Sequence, residues 1–189
     1  MIRIGILGRI GSGKSFVAQN FGYPVFNADL EVSKLYRSDK KIFSKLKKNL
    51  PKYIYSFPVN KSEITDAILN NKSNLKKIVK IVHLEVRKKM NKFLKKNQKK
   101  KFVILDIPLL LENKINTKKD ILIFVEAKKK EILDKLKKRK GFNKKIYKKF
   151  ENIQLPVNYK RKKSLYIIKN NFTKTSVKKA VRSILKDIK

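Results

Sequence analysis

The sequence predicts an α/β fold, in which a mostly parallel, five-stranded sheet lies between two layers of helices. Short apolar runs that are typical of buried strands alternate with longer segments of helical periodicity along the 189 residues. This alternation is typical of a parallel sheet covered on both faces. Because neither an internal repeat nor a separable linker interrupts it, we expect a single domain.

Five segments are predicted as strands because they are short and apolar. They are residues 2–7, 23–26, 102–105, 121–125 and 165–168. The spacing of apolar residues, together with start and stop signals, predicts seven helices. They are residues 14–21, 39–50, 62–70, 73–96, 131–138, 143–154 and 176–188.

One long stretch, residues 38–96, contains predicted helices and no predicted strand. We therefore expect a helical substrate-binding insertion within the α/β domain. Residues 51–60 inside it contain two prolines and are expected to be irregular. We also expect a lid at residues 139–156, where Gly141 would permit closure.

A complete phosphate-binding loop (P-loop) follows the first predicted strand, with the sequence Gly-Arg-Ile-Gly-Ser-Gly-Lys-Ser at residues 8–15. Its lysine typically reaches the β- and γ-phosphates, its final hydroxyl is a Mg²⁺ ligand, and the helix start adds positive potential. The alternative is a glycine-rich turn that binds nothing, but the full pattern favours a nucleotide site in a three-layer P-loop NTPase fold. The expected nucleotide-binding residues are Gly8, Gly11, Ser12, Gly13, Lys14, Ser15 and Phe16.

Composition restricts the kinds of site that the chain can hold. The absence of cysteine and the single histidine exclude disulfides, thiolate zinc sites, cysteine nucleophiles and histidine clusters. We therefore expect any metal to be Mg²⁺ with oxygen ligands. The apolar run at residues 2–7 is far shorter than the roughly 20 residues that cross a bilayer, so we expect a cytoplasmic protein with no membrane partner.

The net charge of +37 arises from 51 Lys and Arg against 14 Asp and Glu. Three explanations are open: a genome-wide lysine bias, attraction of an anionic substrate, and nucleic-acid binding. Lysines occur in almost every predicted helix and loop after residue 33, and the aromatic residues form no RNA-binding signature. This distribution favours the first explanation, and we expect no specific nucleic-acid partner.

Two aspartates lie at the ends of predicted strands, where open α/β sheets bind their ligands. Asp106 follows the third strand, the usual place of the acid that supports Mg²⁺ in a P-loop protein. The alternative is a cap for a following helix. Asp29 follows the second strand and could accept a proton from an attacking hydroxyl, or orient it. Its alternative is likewise a cap, for a helix that begins at Leu30.

Three basic side chains are further candidates. His83 and Arg87 are one helical turn apart and share a helix face, although a lone histidine is more often structural. Arg139 ends a predicted helix and precedes Lys140 and Gly141. As part of a lid, it could stabilise the charge on a phosphoryl group during transfer. Its alternative is a solvated cation at a helix C-terminus.

Taken in order, these motifs resemble the dephospho-coenzyme A kinase family. The segment Asp-Ile-Pro-Leu-Leu-Leu-Glu at 106–112 is the most discriminating part, because the P-loop alone is shared by many families. The resemblance covers nearly the whole chain. The other matching positions are Ala28 and Asp29 of an Asp-Ala-Asp pattern, His83, Arg139, Gln154, Leu155, Pro156, Lys160, Arg161 and residues 167–170.

The resemblance implies transfer of the ATP γ-phosphoryl group to the 3′-hydroxyl of dephospho-coenzyme A. It makes Asp29 the residue that orients this hydroxyl. With ATP and Mg²⁺ as the expected co-substrate and cofactor, we also expect a monomer. Other possibilities are a nucleoside-monophosphate kinase and, from the charge alone, a nucleic-acid-binding ATPase. The chain departs from the family pattern at four positions: Asn27 replaces an acid, Leu84 a proline, Phe150 an arginine and Leu165 an acid.

Overall fold

Five parallel strands form the sheet in a computed structural model that describes residues 1–139 and 141–188. They lie in the order β2-β3-β1-β4-β5, and all four neighbouring pairs are parallel, so the predicted sheet is confirmed. The strands are β1 (Ile2–Gly8), β2 (Val25–Asn27), β3 (Phe102–Asp106), β4 (Ile121–Glu126) and β5 (Tyr166–Lys169).

The described residues form nine α-helices, two more than the periodicity predicts. They are α1 (Lys14–Gln19), α2 (Ala28–Ser38), α3 (Lys40–Asn49), α4 (Lys61–Asn70), α5 (Lys72–Lys96), α6 (Lys129–Lys137), α7 (Lys144–Asn152), α8 (Val157–Lys163) and α9 (Lys174–Asp187). Within the described ranges, none of these helices has an apolar stretch long enough to cross a bilayer.

The two additional helices are α2 and α8. The helix that the alternative role of Asp29 places at Leu30 is α2, which begins two residues earlier, at Ala28. The sequence predicts that Pro156 closes the preceding helix, but α7 already ends at Asn152 and Pro156 is the N-cap of α8. Proline has no N–H to donate, so it is tolerated at a helix start as well as after a helix end.

The chain divides into two compact units, which we describe separately. The α/β unit contains residues 1–27 and the chain from residue 97 onward, and the helical unit contains residues 28–96. In the α/β unit, α1 and α9 pack on one face of the sheet and α8 contacts β1 and β4. The core between the sheet and helices α1 and α9 consists of Ile4, Ile6, Val17, Ala18, Phe21, Phe102, Ile104, Ile123, Val125, Ile168, Val177, Val181 and Ile184.

The helical unit is built around α5, which contacts α2, α3 and α4. It contains no strand, and every residue from 28 to 96 has its backbone described. Residues 51–60 are irregular, as predicted. Glu63 stabilises them by accepting hydrogen bonds from the backbone N–H groups of Tyr55 and Ser56. The main buried side chains are Leu35, Ile42, Leu46, Leu50, Ile54, Val59, Ile64, Ala67, Ile68, Leu75, Ile78, Val82, Val86 and Met90.

Candidate active site

The P-loop connects β1 at the centre of the sheet with α1, as predicted. Gly13 is the N-cap of α1 and has φ 88°, a left-handed conformation that favours glycine. Among the residues that the structure describes, no side chain forms a capping hydrogen bond at the start of α1. The N–H groups of its first turn, which point towards the loop in any α-helix, therefore keep their affinity for an anion.

Lys14 is the most buried cation of the loop, with 7% of its surface exposed. Its Nζ donates to the carbonyl oxygens of Arg9 at 2.8 Å and Gly8 at 3.3 Å. The ammonium group is thus fixed against the backbone of the phosphate-binding loop. Coulombic attraction is stronger where water is excluded, so this cation is well placed to bind phosphate oxygens.

Asn27 and Asp106 are register partners at the ends of β2 and β3. Asn27 Nδ2 donates to Asp106 Oδ2 at 2.5 Å and contacts Ser15 Oγ at 3.5 Å. The structure therefore brings together three polar groups that lie far apart in sequence. Asp106 is 3% exposed, and burial of a carboxylate requires partners of this kind.

The alternative role of Asp106 as a helix cap is wrong. Residues 107–120 contain turns and no α-helix, so no helix follows for this carboxylate to cap. The alternative role of Asp29 as the cap of a helix at Leu30 is also wrong, because Asp29 lies inside the first turn of α2. An acid in that position interacts favourably with the helix dipole.

Ser15 and Asp106 have the donor chemistry that Mg²⁺ requires. Both supply oxygen, and both lie against the amide of Asn27, so one small region contains a hydroxyl and a carboxylate. The described residues contain no cluster of three or more His, Asp or Glu side chains that could hold a metal. Since Mg²⁺ commonly binds one or two protein groups together with substrate phosphates and water, the residues present fit this ion.

The segment after β5 is a neighbour of the P-loop that the sequence did not single out as functional. Asn170 Nδ2 donates to the carbonyl oxygen of Ser12 at 2.8 Å. Both residues are buried. In the sequence, Asn170 was only one position of the family resemblance, and no local pattern connects it with a loop 158 residues away.

Glu112, at the end of the discriminating motif, binds the segment that leads into α8. Its Oε1 accepts from Leu155 N at 2.9 Å and from Lys160 Nζ at 3.1 Å, and both charged side chains are largely buried. Gln154 Nε2 also reaches the carbonyl oxygen of Pro108 at 3.4 Å. The two motifs at 106–112 and 154–160 therefore pack on each other.

Residues of the expected lid region make contact with the P-loop through α7. Arg9 NH1 is 3.8 Å from Glu151 Oε1, which also accepts a hydrogen bond from Tyr147 Oη at 3.0 Å. Burial raises the pKa of Tyr147, and its hydrogen bond to Glu151 raises it further, while Arg9 acts in the opposite direction. Arg9 and Glu151 were not predicted to interact.

The remaining predicted site residues lie in two places. Arg139 is exposed after α6, and its backbone N–H donates to Leu136 O at 3.0 Å. Lys140, which was expected to belong to the lid, lies outside the described residues. In the helical unit, Asp29 is exposed on α2, while half-buried His83 and exposed Arg87 lie one turn apart on α5.

The parallel sheet, the P-loop and the acid at the end of β3 together define a P-loop kinase fold. A sequence model described as CoaE, dephospho-CoA kinase, matches residues 2–176. The dephospho-CoA kinase of Wolbachia sp. subsp. Brugia malayi is 34% identical over 187 residues, covering 96% of this chain and 95% of that protein. The chain belongs to the dephospho-CoA kinase family, and it is an ATP-dependent kinase of the last step of coenzyme A biosynthesis.

Two solved structures are similar over the whole chain. TT1252 from Thermus thermophilus is 26% identical and has a TM-score of 0.80, covering 100% of this chain and 98% of that one. A dephospho-CoA kinase from Campylobacter jejuni has a TM-score of 0.64 at 18% identity, covering 98% and 96%. The second likeness concerns the fold alone.

Proposed function

We propose that this P-loop site transfers the γ-phosphoryl group of ATP to the 3′-hydroxyl of dephospho-coenzyme A, with Lys14, Asp29 and Arg139 as its catalytic residues. The observation that carries the proposal is the buried ammonium of Lys14, held in the P-loop at the carboxyl edge of the sheet. The loop lies at the same edge as the pair of Asn27 and Asp106.

On the ATP side, the backbone N–H groups of the P-loop and α1 would bind the phosphate oxygens. The loop residues in this role are Gly8, Gly11, Ser12, Gly13, Ser15 and Phe16. Lys14 would neutralise charge on the β- and γ-phosphates, where charge is redistributed as the phosphoryl group moves. Binding by fixed groups orients the γ-phosphorus for in-line attack without further rearrangement.

Ser15 and Asp106 would hold Mg²⁺, with Asn27 orienting the carboxylate through its 2.5 Å hydrogen bond. When bound, the ion supplies charge neutralisation at the phosphate oxygens. An amide at position 27 in place of an acid lowers the negative charge of this site by one. It also supplies an N–H donor, which a carboxylate lacks, and this donor fixes Asp106.

On the acceptor side, Asp29 would accept a hydrogen bond from the 3′-hydroxyl and take its proton as the oxygen attacks. The new bond joins the 3′-oxygen to the γ-phosphorus, and the bond from that phosphorus to the β,γ-bridging oxygen breaks, which leaves ADP. His83 and Arg87 would bind the anionic part of the acceptor from one face of α5. Arg139 would stabilise the transferring group from a lid at residues 139–156.

The direct test incubates the purified protein with Mg²⁺, ATP and dephospho-coenzyme A, and detects coenzyme A by mass, with adenosine monophosphate as competing acceptor. We expect coenzyme A as product, and a loss of about 10²–10⁴-fold in rate for Asp29→Asn, the usual range for a general base. Asp66→Asn is the matched control, because Asp66 is an exposed aspartate on α4 of the same unit. Phosphorylation of the monophosphate alone would overturn the proposed acceptor, and full activity of Asp29→Asn would remove the role of that residue.

We also propose, from the family, that the protein acts as a monomer in the cytoplasm. Size-exclusion chromatography with light scattering checks the first statement. A species of twice the 22.2 kDa chain mass would contradict it.

A further inference from the structure

Asn170 connects three separate segments of the α/β unit, although it is 3% exposed and lies outside every predicted site. Its backbone N–H donates to the carbonyl oxygen of Glu126, at the end of β4, at 2.7 Å. Its side-chain Oδ1 accepts from Phe172 N, and its Nδ2 donates to Ser12 O, each at 2.8 Å. The side chain therefore has a fixed position before it meets the P-loop.

The carbonyl oxygen of Ser12 is a buried acceptor, because Ser12 is wholly enclosed. Its side-chain Oγ has no hydrogen-bond partner among the described atoms. The side chain of Asn170 is thus the donor that satisfies this carbonyl group. A buried acceptor that loses its donor is costly, so the loop would move to recover water or another donor.

Gly13 shows how closely the loop fits this amide. A Cβ atom added to Gly13 would collide with Asn170 Nδ2 and would lie 3.6 Å from Phe172 Cε1. The next residue along the chain is Lys14, whose ammonium is held by two carbonyl groups of the same loop. A shift of the peptide between Ser12 and Gly13 would therefore change the direction of the first N–H groups of α1.

We infer that Asn170 is a positioning residue for ATP, which holds the P-loop in its phosphate-binding shape by anchoring Ser12 O to the ends of β4 and β5. The inference rests on the proposed function of the P-loop as the ATP site. Asn170 acts through the loop and does not itself touch the phosphates. Preorganised donors bind a phosphate more tightly because no free energy is spent on ordering them.

A purely local role is the competing explanation, since Asn170 Oδ1 also forms a turn with Phe172 N. Serine can form a similar turn with its hydroxyl, but its shorter side chain cannot reach Ser12 O. Asn170→Ser therefore keeps the turn and removes the contact with the P-loop, whereas Asn170→Ala removes both. The matched control is Asn171→Ala, because Asn171 is the neighbouring exposed asparagine and its Oδ1 accepts from Thr173 N and Thr173 Oγ1, at the start of α9.

Calorimetric titration of each folded variant with ATP, and separately with dephospho-coenzyme A, tests the inference. We expect Asn170→Ser and Asn170→Ala to raise the Kd of ATP by about tenfold, the effect of one buried hydrogen bond, without changing the Kd of dephospho-coenzyme A. Asn171→Ala should leave both values unchanged. Wild-type ATP affinity in Asn170→Ser would overturn the inference and leave only the local turn.

Lys14→Ala separates this outcome from failure of the proposed function. If Lys14→Ala weakens ATP binding and Asn170→Ser does not, the P-loop assignment stands and the inference is wrong. If neither weakens it, ATP binds elsewhere and both statements fail. If Asn170→Ser does not fold, Asn170→Asp replaces it. The carboxylate can still accept from Phe172 N, but it places an oxygen in place of the N–H group that donates to Ser12 O. It is expected to raise the ATP Kd by at least as much.

Discussion

The α/β unit and the helical unit bury polar side chains for different purposes. Among the described residues, Glu63 and Asn74 supply the buried carboxylate and amide of the helical unit, and both bind backbone groups within eight positions of themselves. The α/β unit buries five, of which four take part in contacts between segments far apart in sequence, whereas Lys14 binds carbonyl groups of its own loop. They are Ser12, Lys14, Asp106, Lys160 and Asn170.

This difference corresponds to different requirements for fixed side-chain geometry in the two units. Burial of a polar group costs free energy unless it is fully hydrogen-bonded, so a protein accepts that cost where fixed geometry is needed. Phosphate binding needs such geometry, whereas the proposed acceptor-binding residues Asp29 and Arg87 are exposed in the helical unit. This chain therefore has most of its buried polar side chains in the unit that contains the P-loop.

Within the α/β unit, the largest effect on activity is expected for Lys14→Ala. It should lower kcat/KM by about 10²–10³-fold, the usual cost of removing one preorganised charge-stabilising donor, with little loss of stability. Lys34→Ala is the matched control, because Lys34 is an exposed lysine of the helical unit that pairs with Glu31 at 2.7 Å. A fall of less than about tenfold for Lys14→Ala would contradict the role of this buried ammonium in binding the phosphates.

A second prediction concerns the buried pair of Glu112 and Lys160. Glu112→Gln leaves the Lys160 ammonium without its carboxylate, and we expect a loss of about 3–5 kcal/mol in the free energy of unfolding, measured in urea. The double variant Glu112→Leu with Lys160→Met should recover most of this loss, since it removes both buried charges. A double variant no more stable than Glu112→Gln would show that the charges are not the cause.

The smallest effect concerns Tyr36 in the helical unit. Burial raises the pKa of this phenol to about 12 from 10.0, so the folded state keeps a proton that the unfolded state releases near pH 10. The resulting stabilisation is present below pH 10 and is lost as pH rises towards 12. The free energy of unfolding of the wild type, measured relative to that of Tyr36→Phe, should therefore be about 1 kcal/mol lower at pH 11 than at pH 8.

Urea unfolding of both proteins at the two pH values measures this difference. An equal difference at pH 8 and pH 11 would contradict the expectation. It would also weaken the contrast with Tyr147 of the α/β unit, whose pKa is raised by burial together with a charged neighbour, Glu151.

Much of the fold was predictable because its signals are local. The strands are short apolar runs, and the P-loop is a contiguous motif, so both could be located to within one or two residues. Helix α8 had no such signal, because its seven residues are mainly lysine and arginine and carry no apolar period. Pro156 was compatible with both a helix end and a helix start.

The contacts that shape the site were less predictable. Asp106 and Ser15 could be assigned from the motif, but the amide of Asn27 between them follows from the pairing of β2 with β3. The pairs formed by Asn170 with Ser12 and by Lys160 with Glu112 join residues 158 and 48 positions apart. A single sequence contains no periodicity that reports such contacts, because tertiary packing creates them.

The strand order has a consequence for synthesis of the chain. β1 is made first, but its partners are β3 and β4, and its pairing begins with Ile2 beside Phe102. The strand that carries the P-loop therefore cannot join the sheet until the ribosome has released about a hundred residues, including all of the helical unit. Such late, long-range closure is slow, and it leaves an apolar strand exposed in every shorter nascent chain, which is the form that chaperones protect.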